Sequence, residues 1–104
     1  MNIPLTKLQQ FLGAYFNQDW VYDYTSADEV IDSFLTESSR DTIITVKEEI
    51  LELKKTCTNE QEFQDKLLRE QHCYYYYPHE WTSGKLWLEH VISKIDTFLH
   101  QPEN

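Results

Sequence analysis

Ser26-Ala27-Asp28-Glu29-Val30-Ile31-Asp32-Ser33-Phe34-Leu35 is the stretch whose reading decides the fold class. Val30, Ile31, Phe34 and Leu35 recur at steps of three and four, the spacing that puts apolar side chains on one face of an α-helix. Ser26 followed three residues later by Glu29 has the form of a capping box, in which the two residues satisfy each other's exposed backbone N–H groups. Asp28 and Glu29 fall in the first turn, where carboxylates suit the partial positive charge of the helix start.

The same pattern extends in both directions. Upstream, Leu5, Leu8, Leu12 and Tyr15/Phe16 keep the helical period, with Thr6 and Gln9 as a second capping box. Gly13 weakens that helix by about 1 kcal/mol relative to Ala. Downstream, Ser39 caps a third helix over about Arg40 to Thr56, with Ile43, Val46, Ile50, Leu53 and Cys57 facing inward. Its β-prone opening, Ile43 to Val46, is the less regular part. Asn59 with Glu62 starts a fourth helix, about Glu60 to His72, that buries Phe63, Leu67 and Leu68. A fifth, about Ser83 to His100, turns Leu88, Val91, Ile92, Ile95 and Leu99 inward.

Two segments do not follow this pattern. Asn17 to Thr25 alternates aromatic and polar residues over Trp20, Tyr22 and Tyr24, so it is irregular chain or a short strand. Cys73 to Thr82 carries four consecutive tyrosines and Pro78 and reads as a loop.

Only two Gly and three Pro occur in 104 residues. Barrels and sandwiches draw heavily on both for their tight turns, so their scarcity favours long helices joined by few loops. The expectation is an all-α, compact single-domain bundle of about five helices over residues 1–104. With 40% hydrophobic and 14% aromatic residues, the chain has the means to bury a core.

Several functions are argued against. No run approaches the roughly 18 apolar residues of a membrane span. Met1 to Lys7 lacks the basic head and apolar core of a secretion signal, so a cytoplasmic location is expected, with Cys57 and Cys73 as buried thiols. His72, Cys73, His79, His90 and His100 lack the paired spacing of a zinc site, so no metal or other cofactor is expected. Two glycines cannot build a phosphate loop or a nucleophile elbow. Carboxylate pairs such as Asp19 with Asp23 would be the remaining catalytic option, but near pairs arise by chance among eighteen acids. The expectation is a protein with no catalytic residues.

The net charge of −9 opposes contact with nucleic acid and favours a basic protein partner. Between Asn17 and Asp41 seven acids face Arg40 alone, so two-thirds of the net charge lies in a quarter of the chain. That quarter also holds Trp20, Tyr22 and Tyr24. Aromatic anchors among carboxylates form either a solvated face over a core or a binding face. The candidate contacts are Asp19, Trp20, Tyr22, Asp23, Tyr24, Asp28, Glu29, Asp32 and Glu37, with Tyr75 and Tyr76 from the tyrosine run. One or two of those tyrosines are expected to pack inward.

Tyr15-Phe16-Asn17-Gln18-Asp19-Trp20 resembles the Tyr-Phe-x-Gln-Asp-Trp motif of the CdiI-like immunity proteins of bacterial contact-dependent growth inhibition systems. Cys73-Tyr74-Tyr75, a short loop and Trp87-Leu88 opening the last helix are similar to that family's C-terminal part. The extra tyrosines and His79-Glu80-Trp81 depart from its usual pattern. The resemblance implies a cytoplasmic protein that forms a 1:1 complex with the toxic C-terminal domain of a cognate exported protein. That toxin is expected to be a basic nuclease, a ribonuclease, whose active site is covered. The motif itself is expected to be scaffold, with Asp19 and Trp20 locking the first loop. A helical regulatory or scaffold module with an unrelated partner is the alternative reading.

Overall fold

The computed structural model describes residues 6–70 and 75–100, with 69 and 70 described as backbone only. Among these the regular elements are all helical: α1 (Lys7–Tyr15), α2 (Trp20–Asp23), α3 (Ala27–Glu37), α4 (Arg40–Thr56), α5 (Glu60–Gln64) and α6 (Gly84–Leu99), with a 3-10 turn at Tyr77–His79. The all-α expectation holds. Leu5, His72, Cys73 and Tyr74, all named above, lie outside the described residues.

The caps explain where the helices start. At α1 both halves of the capping box form: the Gln9 N–H donates to Thr6 Oγ1 at 3.0 Å and the Thr6 N–H to Gln9 Oε1 at 2.9 Å. Ser26, Ser39, Asn59 and Ser83 each accept the N–H three residues on. At α3 only half of the box is made, because the Glu29 carboxylate accepts the Thr25 hydroxyl instead.

Two expectations about local structure are corrected. Residues 20–23 form a single helical turn, neither strand nor irregular chain. A strand would send Trp20, Tyr22 and Tyr24 to one side. Here Trp20 and Tyr24, four apart, pack on the core while Tyr22 points outward at 85% exposure. The fourth helix is regular only to Gln64 and continues as a wider π-helical stretch, Asp65–Glu70.

Helix α6 lies against α3, α4 and α5, and α1 packs on α3 and α4. Each contributes its apolar stripe: Leu8, Phe11 and Leu12 from α1, Val30, Ile31, Phe34 and Leu35 from α3, Ile43, Val46, Ile50 and Leu53 from α4. The β-prone Ile43 and Val46 are completely buried on one helical face. Packing therefore overrides their intrinsic preference.

At one end the core is aromatic. Trp87 of α6 is fully buried, with Tyr77 stacked parallel to it at 5.8 Å, Phe16 edge-on at 5.8 Å and Tyr75 at 5.2 Å. Phe11 and Phe34 extend this cluster at 4.1 Å between ring centres.

Candidate functional site

The acidic segment runs through α2 and α3, and the structure sorts its residues into three groups.

The first group is α2. Asn17 sets it up: its side-chain amide donates to the Ala14 carbonyl at 2.8 Å, and its side-chain oxygen accepts the Asp19 N–H at 2.9 Å. This local bonding ends α1 and turns the chain. Trp20 then packs edge-on against Phe16 at 5.8 Å and Tyr75 at 5.7 Å. The Tyr24 hydroxyl donates to Ser33 of α3 at 3.3 Å. The turn is thus tied to the body at both ends, while Asp19, Val21, Tyr22 and Asp23 face solvent. The lock expected of Asp19 and Trp20 is made by Asn17 and Trp20, and the Asp19 side chain makes no cap bond.

The second group lies along the flank of α3 that faces α6. Asp28 Oδ1 is 2.8 Å from His90 Nε2, and Asp32 Oδ1 is 2.9 Å from Lys94 Nζ. Both members of each helix are four residues apart, so two rungs form between them. The aspartates remain more than half exposed, so the ion pair with Lys94 is worth about 0–1 kcal/mol.

The third group is on the opposite flank. Glu37 accepts the Tyr15 hydroxyl at 2.6 Å, and Glu29 is held by Thr25. Donation to the Glu37 carboxylate, helped by burial, raises the Tyr15 pKa to about 12.

The tyrosine run divides by side. Tyr75 is 3% exposed, its ring stacked on Phe16 at 5.4 Å and its hydroxyl donated to Glu80 at 2.9 Å. Burial, then that hydrogen bond, raises its pKa well above the ordinary phenol value. Tyr75 therefore supports the face from below and its ring does not lie on it. Tyr76 is half-exposed, edge-on to His79 at 4.8 Å. Tyr77 is fully buried.

Sequence reading missed the part played by His90, Lys94, Glu80 and Trp81. The matching four-residue spacing of Asp28/Asp32 and His90/Lys94 was the available signal. Ser26, Asp28, Tyr75, Glu80, Trp81 and His90 line a shallow cleft of about 330 Å³, where the Trp81 and His90 rings lie 4.9 Å apart. Among the described residues no group of three or more His, Cys, Asp or Glu side chains is placed to hold a metal ion. No helix among them is long and apolar enough to cross a membrane.

Residues 5–95 match the family described as CdiI immunity protein. Among solved structures, a chain of the CdiA-CT/CdiI complex from Y. kristensenii 33638 superposes with a TM-score of 0.83. It is 33% identical, over 86% of this chain and 91% of that one. No curated protein matches.

Proposed function

This chain belongs to the CdiI immunity protein family, and from that premise we propose that it binds and neutralises the toxic C-terminal domain of a cognate CdiA protein. The observation that carries the reading is the likeness to a chain of a CdiA-CT/CdiI complex over nearly the whole of both chains. Immunity here is an act of binding, without turnover, in a 1:1 complex formed in the cytoplasm.

The toxin domain is a basic nuclease, a ribonuclease, and the immunity protein covers its active site. The charge supports this. A nuclease must attract a polyanion, so its substrate cleft is lined with cations. A partner carrying −9 overall, most of it in residues 17–41, competes for the same cations and is drawn to them at long range.

The test is co-purification of this chain with the CdiA C-terminal domain encoded alongside it, followed by an RNA-cleavage assay. A 1:1 complex is expected, with cleavage abolished at equimolar protein. Association is expected to slow as salt rises through the range where the Debye length falls below about 10 Å. Cleavage that continues in a saturated complex would sink active-site coverage. Failure to form any complex would sink the reading itself.

A further inference from the structure

Tyr22 and Val21 are the two most exposed large apolar side chains among the described residues, at 85% and 59%. They sit side by side on α2 and use none of that area within the fold. Single exposed apolar residues are ordinary. A neighbouring pair on a turn pinned by Trp20 and Tyr24 differs, because its backbone is already ordered and binding costs less entropy. Tyrosine is favoured at contacts since it covers much area with few rotors to freeze.

The charges beside this pair are also available. Among the described residues, neither Asp19 nor Asp23 has a cationic partner. Asp32 does, in Lys94, and Asp28 is already engaged by the His90 ring. A partner's lysine or arginine would have to displace or share those side chains to use the α3 carboxylates. It meets no such competition at Asp19 and Asp23.

Resting on the reading above, we propose that α2 is the docking knob: Tyr22 and Val21 seat in an apolar notch of the toxin domain, and lysine or arginine side chains rimming that notch meet Asp19 and Asp23. Asp28 and Asp32 are struts between α3 and α6.

The experiment measures kinetics of binding to the CdiA C-terminal domain encoded alongside this chain, using the full-length immunity protein. Tyr22→Ala is expected to melt like the wild type and to bind about 30-fold more weakly, mainly through faster dissociation. Tyr22→Phe keeps the ring and is expected to stay within about threefold of wild type. Asp23→Asn and Asp32→Asn change net charge equally, so long-range steering falls alike in both. The affinity loss beyond it is expected at Asp23 alone. If the wild type binds and Tyr22→Ala binds within about threefold of it, the knob is overturned. The same holds if Asp32→Asn weakens binding as much as Tyr22→Ala. If the wild type does not bind, the proposed function fails and not the placement of its contact.

Discussion

Tyr77 donates its hydroxyl to Glu60 Oε2 at 2.7 Å, joining the tyrosine turn to the first residue of α5. The other oxygen of the same carboxylate accepts the Gly84 N–H, the first of α6, at 2.8 Å. One half-buried side chain therefore holds together three segments that meet behind Trp87. Burial, then this hydrogen bond, drives the Tyr77 pKa far above the usual phenol range.

Replacing Glu60 with Ala should leave the Tyr77 hydroxyl without this acceptor inside the core. The expected cost is about 1–3 kcal/mol, with Glu60→Gln costing less. Urea unfolding checks this, and equal stability of Glu60→Ala and wild type would refute it.

Gly84→Ala should destabilise the fold although Ala favours helix by about 1 kcal/mol. A Cβ at this position would lie 2.8 Å from Phe63 Cβ and 3.0 Å from the Tyr77 hydroxyl oxygen. Overpacking of this kind costs about 1–3 kcal/mol, so the net change is a loss. Gly13→Ala is the contrast: nothing lies within 4 Å of its Cβ, and a gain approaching about 1 kcal/mol is expected. Thermal melts of the two variants should move in opposite directions.

Tyr75→Phe should keep toxin binding unchanged, because the ring is buried and stays in place while the hydroxyl that donates to Glu80 is removed. A stability loss of about 1 kcal/mol is expected. Trp87→Ala, at the centre of the aromatic cluster, should cost about 3–5 kcal/mol. Selective loss of binding in a stably folded Tyr75→Phe protein would return Tyr75 to the contact surface.

Alkaline titration should show late-ionising tyrosines. Tyr15 is raised to about 12, and Tyr75 and Tyr77 are raised further. A group whose folded pKa is raised favours the folded state while it keeps its proton. That stability is whole below the unfolded tyrosine value of about 10 and drains away as pH climbs through about 12 for Tyr15. Phenolate absorbance followed beside circular dichroism should show Tyr15 titrating near pH 12 and the buried Tyr75 and Tyr77 rings ionising only as the fold opens. Tyr15→Phe should remove one of them. Ionisation of Tyr75 and Tyr77 in a protein that stays folded would contradict their burial.

Much of the fold was legible because a helix announces itself within a few turns. The caps at Thr6, Ser26, Ser39 and Asn59 and the stripes of α3, α4 and α6 are all local patterns, and packing confirmed them. Trp20, Tyr22 and Tyr24 misled because an alternation of only three aromatics over five residues is also a fragment of helical spacing with one residue turned outward. Only the contacts of Trp20 with Phe16 and Tyr75 settle which it is. The π-helical widening after Gln64 left no comparable pattern in the sequence.

The candidate site divides the same way. By itself the sequence determined that the chain is helical, that its charge is concentrated in residues 17–41, and that aromatics stand among those acids. These follow from composition and short-range periodicity. Tertiary structure alone decided that Asp28 and Asp32 meet His90 and Lys94, that Tyr75 and Tyr77 turn inward while Tyr22 and Tyr76 turn out, and that Glu60 joins α5, Tyr77 and α6. Those pairings span up to 62 residues of chain. They depend on the rotation at which one helix faces another, and no single helix carries that angle in its own spacing.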